Sequence, residues 1–539
     1  MPESQTAICF KPFKGLWWLL LGAVLLTACG VTAQEAVLWG DIEPGPHGIG
    51  YMVVEHYDYS RSFQPKRDYF GEIIPGERGR PVQMCVWYPA VPEEEAMPVT
   101  VSDYAFSPPD DMRQYEFLAR IQNREIVILH TILGNNQVAV LEVLATDMKA
   151  VRDAVPAEGT FPLLVYHSDL NRGIVENAVL CEYLASNGFV VVTTHSFGPS
   201  SITIDPTGAA LETAVQDMEF VIAAARDMEF VDPDKLGVLG YRVGGLAALL
   251  LGMRNHNVDA LLGLEAVSAG REMLDLAASN PFYDVARVTA PMLQIYTVTE
   301  DGRGGKLLES FKYAPGYSLG FGGETPVVTT TYRVITAIFG QPDPERGTGD
   351  PATYRAVCEY AASFFDGHLN GSEESLAATE LPPSDHGLGP GTATLSTMDA
   401  GQRPPTQDEF MAMLQDGHVD TAVAIYEKFS AEQPDLVLFP EAQMNMMDYR
   451  YLQSGRVREA IMIMKMNAEA HPTSANCWDS LTEAYIAGGD NEHALECVNM
   501  VLQVLPEDTN ISEEFRQTLQ ANAERYRAML EGSDADDTE

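Results

Sequence analysis

The stretch 236-LGVLGYRVGGLAALLLG-252 joins a short apolar run to an apolar helix through a glycine-flanked turn. Gly240 and Gly244 stand two residues before and two residues after Arg242. An apolar strand that runs directly into a helix through a tight turn is typical of α/β proteins. The stretch therefore predicts a buried strand–turn–helix unit, and the sequence around it repeats the same alternation.

Short apolar runs alternate with amphipathic segments over the middle of the chain. Runs that are buried on both faces and separated by helices indicate a parallel, doubly wound sheet. The predicted strands are 162–167, 189–194, 236–240, 258–265, 291–297 and 316–323. The predicted helices are 175–187, 211–226, 243–253 and two more near 328–338 and 352–367. The fold class is therefore α/β, with a mostly parallel sheet.

The segment that precedes this alternation is less regular. Residues 80–91 alternate between apolar and polar types and predict a strand near a sheet edge. Residues 112–122 and 138–154 have the composition and spacing of helices.

A repeat follows the sheet domain. The segment 371–408 is rich in proline, glycine, serine and threonine and is predicted to be a linker. Beyond it, four residue pairs are each 34 apart: Tyr451 and Tyr485, Gly455 and Gly489, Ala460 and Ala494, and Pro472 and Pro506. This helix–turn–helix period resembles tetratricopeptide repeats, which implies an all-α domain at 409–530 that binds a protein or peptide. The alternative is an array that packs only against its own chain. The acidic tail 531–539 is predicted to be disordered.

The spacing of Gly240 and Gly244 is also that of the Gly-x-Ser-x-Gly nucleophile elbow, with Arg242 in place of serine. The context 231-VDPDKLGVLGYRVGGLAA-248, together with 176-ENAVLCEYLASNGFVVVTT-194, resembles α/β-hydrolases of the dienelactone hydrolase and platelet-activating-factor acetylhydrolase type. The resemblance covers about residues 45 to 370 and implies a hydrolase-like domain at 36–370. It also implies a strained turn residue at the carboxyl edge of the sheet, with its side chain directed at the pocket.

Hydrolases of this type use a serine, an acid after a later strand, and a histidine near the end of the domain. Asp301, or Glu300, stands near the acid position. No histidine stands between residues 256 and 368, and the base position falls at Thr325, or at Tyr317 in another alignment. Arginine stays protonated at any working pH and cannot act as a nucleophile or base. The resemblance therefore implies a hydrolase fold with a degenerate triad.

A relocated site is the alternative. His167–Ser168 and His195–Ser196 each follow a predicted strand, near the mouth of the pocket. Neighbouring residues in an extended chain point to opposite sides, so a cross-pair of His167 with Ser196 is the easier dyad. Otherwise these residues line a ligand pocket. The predicted ligand-binding residues are His167, Ser168, His195, Ser196, Tyr241 and Arg242.

Arg242 requires a partner in either case, because an unpaired buried charge costs several kcal/mol. One hypothesis is a closed salt bridge to Asp301, Glu300 or Glu265 that plugs the former site. The other is a pocket in which the guanidinium binds a small anionic ligand.

The amino terminus carries an export signal. Lys11 and Lys14 precede the apolar run 15–26, which is too short to span a bilayer as a helix. The following Leu-Thr-Ala-Cys resembles a bacterial lipobox, which implies that residues 1–28 are removed and that Cys29 carries lipid. The alternative is ordinary cleavage after Ala33, which would leave a free exported protein.

Composition limits the partners. The chain has 34 basic and 77 acidic residues, a net charge of −43, which argues against nucleic acid or anionic lipid as a direct partner. No two cysteines form a C-x-x-C pair, so no metal site or cofactor is predicted, although Cys477 and Cys497 could form a disulfide. Two function classes remain: an anchored, non-catalytic binding protein, and an exported ester hydrolase with a rearranged site.

Overall fold

The computed structural model describes residues 37–91, 96–107, 112–201, 204–266, 270–298, 310–322, 329–340 and 351–533. Its contacts divide the chain into two units, which meet in sequence between Gly401 and Gln402. No helix among these residues is long and apolar enough to cross a membrane.

The first unit is built on one mixed sheet of eleven strands in the order β11-β10-β9-β8-β7-β5-β6-β2-β1-β4-β3. The strands are β1 (Gly48–Ser62), β2 (Gly79–Ala90), β3 (Pro98–Thr100), β4 (Asp147–Arg152), β5 (Phe161–His167), β6 (Val190–Thr194), β7 (Val231–Tyr241), β8 (Ala260–Leu264), β9 (Met292–Thr297), β10 (Gly316–Phe321) and β11 (Ala393–Met398). From β5 to β10 each strand pairs in parallel with its neighbours in this group. The predicted parallel core is therefore confirmed.

Helices cover both faces of this core. The helices of the first unit are α1 (Val101–Ala105), α2 (Met112–Ile132), α3 (Gln137–Leu144), α4 (Ala178–Ser186), α5 (Gly208–Ala225), α6 (Val243–Arg254), α7 (Arg271–Ala278), α8 (Thr331–Phe339), α9 (Pro351–Phe365) and α10 (Glu373–Thr379). Along β5, Leu164 packs in a core with α4 and α9, whereas Leu163 and Val165 pack in a second core with α5 and α6. A strand buried on both faces needs apolar side chains at every position, which is why these runs read as continuous in the sequence.

The strand order changes its winding direction at β5, in the middle of the parallel core. The chain runs from β5 to β6 on one side, and then returns past β5 to pair β7 on the other side. In open α/β sheets, ligands bind where the winding direction changes in this way. The predicted ligand-binding residues all lie at the carboxyl ends of β5, β6 and β7 or in the loops that follow them.

Two predictions for the amino-terminal half are wrong. The strand predicted near a sheet edge, β2, lies inside the sheet between β1 and β6, and all of its residues are buried. The helix predicted at 138–154 ends at Leu144, and residues 147–152 form β4. β4 lies in parallel beside β1 and antiparallel beside β3, so its conformation depends on pairing with distant segments.

The segment predicted as a linker, 371–408, is also different from its prediction. It contains α10, a 3₁₀ turn at Pro383–His386 and the edge strand β11. β11 pairs antiparallel with β10 along its whole length, from Ala393 opposite Phe321 to Met398 opposite Gly316. The first unit therefore extends to Gly401, about thirty residues beyond the predicted domain end.

The second unit is helical. Its helices are α11 (Gln407–Gln415), α12 (Val419–Glu432), α13 (Glu441–Gln453), α14 (Val457–Ala470), α15 (Ala475–Gly488), α16 (Asn491–Val504) and α17 (Glu513–Ser533). α13 and α15 begin 34 residues apart, as do α14 and α16. Gly455 and Gly489 lie in the two connecting turns with φ 78° and 74°. Residues other than glycine are strained at such positive angles. Ala460 and Ala494 are fully buried where the helices touch.

Cys477 and Cys497 lie in one apolar cluster of this unit, but both are free, as are the other three cysteines that the structure describes.

We expect the helical unit to lose stability as the pH rises, because it buries the carboxyl group of Asp448 on α13. The side chain is fully buried, and among the described residues no group makes a well-formed hydrogen bond to either oxygen. Burial raises its pKa from 3.8 to about 8, although the backbone N–H of Tyr449 acts in the opposite direction. A raised pKa means that the folded state holds a proton that the unfolded state releases above pH 4. Stability should therefore fall between about pH 4 and pH 8, by up to about 1.4 kcal/mol per pH unit.

Denaturation of the full chain and of Asp448→Asn at pH 5 and pH 8 measures this effect. The neutral amide should remove the part of the loss that Asp448 causes, whereas Asp479, whose pKa burial raises to about 6, keeps its own smaller part. The exposed Asp435→Asn is the matched control and should keep the wild-type profile. Identical pH profiles for wild type and Asp448→Asn would contradict the prediction.

Candidate functional site

The turn between β7 and α6 has the geometry of an elbow. Arg242 lies between Tyr241, the last residue of β7, and Val243, the first residue of α6. Its backbone has φ 50° and ψ −109°, a conformation that residues with a side chain rarely adopt. The Arg242 N–H donates a hydrogen bond of 2.8 Å to the carbonyl of Leu264, which ties the turn to the end of β8. The strained turn predicted from the glycine spacing is present, with arginine at its centre.

The flanking glycines are required by close packing. A Cβ on Gly240 would lie 2.3 Å from the carbonyl carbon of Gly244, and a Cβ on Gly244 would lie 2.1 Å from the carbonyl oxygen of His167. Both contacts are with backbone atoms, which cannot rotate away. The start of α6 therefore packs directly on β7 and on the end of β5, which fixes the direction of the turn.

The ionic partner of Arg242 is Asp169, in the loop after β5. The guanidinium Nε lies 3.2 Å from Asp169 Oδ2, with 41% of the arginine side chain and 16% of the aspartate side chain exposed. Nε makes no well-aligned hydrogen bond, so the contact is an ion pair. At this exposure such a pair contributes at most about 1 kcal/mol.

The predicted partners of Arg242 have other positions. Glu265 accepts hydrogen bonds from the Thr297 hydroxyl at 2.6 Å and the Thr297 N–H at 3.1 Å, and its expected pairing with Arg242 is wrong. Asp301 and Glu300 lie outside the described residues.

Asp169 also contacts the backbone donor that follows the elbow residue. Its Oδ1 lies 3.4 Å from the Val243 nitrogen and accepts a long hydrogen bond. In α/β-hydrolases, the N–H of the residue after the nucleophile forms part of the oxyanion hole. One carboxylate therefore lies both against the side chain at the nucleophile position and against an oxyanion-hole donor.

Glu176 holds the loop that carries Asp169. Its Oε2 accepts hydrogen bonds from the Asp169 N–H and the Tyr166 hydroxyl, both at 2.9 Å. Burial, together with the charge of Asp169, raises the pKa of Glu176 from 4.5 to about 8. Glu176 is therefore mostly protonated at neutral pH, and Arg172, 3.9 Å away, lies beside a neutral acid.

A second buried acid, Glu125 on α2, lies against the same loop. It accepts a hydrogen bond from the Tyr332 hydroxyl, and burial raises its pKa. The neighbouring Arg124 donates to the Arg172 carbonyl at 3.2 Å and to the Ser196 carbonyl at 2.7 Å. α2 thus connects the loops after β5 and β6.

His167 and Ser168 are buried at the end of β5. The His167 Nδ1 lies 2.8 Å from the Ser168 carbonyl, so Nδ1 carries the proton and Nε2 is free to accept one. No described residue hydrogen-bonds to Nε2. Burial lowers the pKa of His167, which keeps the ring neutral.

His195 and Ser196 are buried at the end of β6. The His195 Nε2 contacts Gln83 Oε1 at 3.3 Å, and burial lowers its pKa to about 3. The Ser196 hydroxyl has no hydrogen-bond partner among the described residues. The fold thus brings His167 and Ser196 to one edge of the sheet, but no hydrogen bond joins them.

Arg80 and Asp217 support this loop, and neither was predicted from the sequence. The Arg80 guanidinium forms a bidentate pair with Asp217 at 2.7 and 2.6 Å, and donates to the carbonyls of Phe197 and Gly198. It also stacks on the Phe197 ring at 3.8 Å. A buried arginine that satisfies two loop carbonyls fixes the backbone directly after Ser196.

Neither position that was predicted for the catalytic base, Thr325 or Tyr317, carries a histidine. Thr325 lies outside the described residues. Tyr317 is the second residue of β10 and therefore lies toward the amino edge of the sheet, where its ring packs 5.7 Å from His368. His368 is half-buried beside Tyr317, so it also lies at the edge opposite Arg242.

Comparisons with known proteins add one structural similarity. No family model and no curated protein sequence matches the chain. A solved ferulic acid esterase from Streptomyces cinnamoneus is similar with a TM-score of 0.47 and 21% identity, over 66% of this chain and 98% of the esterase. The strand order and the elbow themselves define the architecture, a mixed α/β sheet unit followed by a helical region.

We expect Gly244→Ala to destabilise the sheet unit by about 3 kcal/mol or more, because its Cβ would clash with the His167 carbonyl. Gly208→Ala is the matched control, since no atom lies within 4 Å of its Cβ at the start of α5. Thermal denaturation of both variants measures the difference. Equal melting temperatures would show that the turn is looser than this packing requires.

Proposed function

We propose that this chain is a non-catalytic α/β-hydrolase-fold protein, a pseudohydrolase whose former active site is closed by the chain's own charges. The observation that carries the proposal is the Arg242–Asp169 pair at the elbow. A hydrolase needs a nucleophilic side chain at this turn and an oxyanion hole beside it that is open to the substrate oxygen. Here Arg242, a cation, stands at the nucleophile position. Asp169 lies against the Val243 N–H, which stands at the oxyanion-hole position.

The chemistry of arginine supports the proposal. The guanidinium stays protonated, so it neither attacks a carbonyl nor accepts a proton. A carboxylate against an oxyanion-hole donor also repels the negative charge that develops on the substrate oxygen. Hydrolase sites without their nucleophile and base retain only about a 10³- to 10⁴-fold rate enhancement over water.

We further propose that the protein is exported and anchored through lipid on Cys29, and that it acts as a binding module. The lipobox-like ending at 26–29 supports the anchor. The 34-residue helical period supports tetratricopeptide-type repeats that bind a protein or peptide. The partly exposed Arg242 offers a further contact for a small anionic ligand that displaces Asp169.

Hydrolysis of short acyl esters by purified residues 30–539 tests the loss of catalysis. Wild type should not exceed the buffer rate. Arg242→Ser should remain inactive as well, because it restores the hydroxyl but supplies no histidine and leaves Asp169 in place. Turnover by the wild-type protein above background would overturn the proposal.

One observation favours the alternative, an ester hydrolase with a relocated nucleophile. His167 Nε2 and Ser196 Oγ are both buried and have no hydrogen-bond partner among the described residues. A substrate that brought them together would give a serine–histidine dyad. In that case wild type should be active, and Ser196→Ala and His167→Gln should each abolish turnover, whereas Ser168→Ala should not.

Lipid attachment is tested separately. Expression of the full chain in a bacterial host with a labelled fatty acid should label the wild type and not Cys29→Ala. An unlabelled wild type, with a mature amino terminus after Ala33, would show that the protein is a free exported one.

A further inference from the structure

The connection between β1 and β2 carries two aromatic side chains into solvent. Its sequence is 65-PKRDYFGEIIP-75. Tyr69 is 98% exposed and Phe70 is 86% exposed, and Ile73 beside them is 64% exposed. The two rings contact each other edge to face, with centroids 5.7 Å apart. We refer to Tyr69, Phe70 and Ile73 as the aromatic tip.

Hydrogen bonds hold the backbone of the aromatic tip in one turn. Asp68 Oδ1 accepts hydrogen bonds from the N–H groups of Phe70 and Glu72, both at 2.9 Å. Arg67 donates to the Gly71 carbonyl at 2.7 Å, and Gly71 has φ 85°, which closes the turn. Below the turn, the Ile74 N–H donates to the Lys66 carbonyl at 3.1 Å.

Because hydrogen bonds hold the turn, the exposure of the two rings is a fixed feature of the fold. Burying aromatic side chains of this size is favourable, and the folded chain forgoes that gain at both rings. A carboxylate, a guanidinium and a glycine nevertheless fix the turn that displays them. Contiguous exposed apolar groups in a fixed conformation mark an interaction site, whereas single exposed apolar residues are normal.

The shape and charge of the aromatic tip favour a lipid surface. Its two rings project from a turn into solvent, a shape that fits between the headgroups of a lipid bilayer. Aromatic rings also partition to the headgroup level of bilayers. Lys66 and Arg67 balance Asp68 and Glu72, so the tip is locally neutral in a chain of net charge −43. The acidic remainder of the chain is repelled by anionic lipids. A locally neutral tip is repelled least by a zwitterionic membrane, which has no net charge.

The predicted lipid on Cys29 also favours a membrane as the partner of the aromatic tip. Seven residues, 30–36, lie between Cys29 and Val37, the first described residue, and a fully extended chain over these eight steps spans at most about 29 Å. A lipid on Cys29 therefore holds the sheet unit within reach of the bilayer. We propose that the aromatic tip inserts into the headgroup region of a zwitterionic lipid bilayer and gives the protein a second membrane contact. The inference rests on the proposed membrane location, but the tip can be tested without the lipid.

The test is sedimentation of the unlipidated chain 30–539 with phosphatidylcholine vesicles. Wild type should bind, and Tyr69→Ser/Phe70→Ser should reduce the partition coefficient about tenfold or more. The double variant should fold normally, because both side chains lie in solvent. Val127→Ser/Val437→Ser is the matched control, since it removes two other exposed apolar side chains, and it should bind like wild type.

Two further measurements sharpen the result. Replacing a third of the lipid with phosphatidylglycerol should weaken binding, because the acidic chain is repelled. An indole introduced by Phe70→Trp should be quenched by brominated lipid. Failure of the unlipidated wild type to bind vesicles, or equal binding by the tip variant, overturns the inference. Neither result affects fatty-acid labelling of Cys29, so failure of the anchor and failure of the aromatic tip are distinguishable.

Discussion

The close approach of α6 to β7 and β5 is the constraint on which the site depends. Gly240 and Gly244 leave no space for a Cβ, so the chain passes from strand to helix in one sharp turn. That turn forces Arg242 to a positive φ and directs its side chain over the carboxyl edge of the sheet. The loops that follow the neighbouring parallel strands begin at the same edge. The chemistry of this edge therefore depends on Arg242, the residue at the turn.

A cation at that position changes what the surrounding residues do. The loop after β5 supplies Asp169, which pairs with the guanidinium and accepts a long hydrogen bond from the Val243 N–H. The loop is in turn held by Glu176, whose acid group is neutral and accepts two hydrogen bonds. The residues around the elbow thus form one connected set of ion pairs and hydrogen bonds.

Acidic residues play two different physical roles in this protein. On the surface, ionised carboxylates give the large negative charge that keeps the chain soluble and repels anions. Inside, Glu125, Glu176 and Asp448 are held in surroundings that raise their pKa values and favour the protonated form. These buried acids make the interior sensitive to pH, whereas the aromatic tip is a neutral exception on an acidic exterior.

The sequence by itself determined the local elements and the elbow. Apolar runs between amphipathic segments located β5 to β9 to within a few residues, because strands buried on both faces must be apolar throughout. The glycine spacing located the strained turn for a steric reason that is entirely local. The 34-residue period likewise gave the helix pairs, since it repeats residues that meet within one pair.

Only the tertiary structure decided how distant segments pair. β4 and β11 are polar or mixed in sequence, and they are strands because β1, β3 and β10 offer them backbone hydrogen bonds. The partner of Arg242 proved to be Asp169, 73 positions earlier, and not Glu265. Adjacent parallel strands bring such residues together, and a single sequence does not reveal strand order. The aromatic tip was hidden for a similar reason, because apolar residues read as core until their exposure is known.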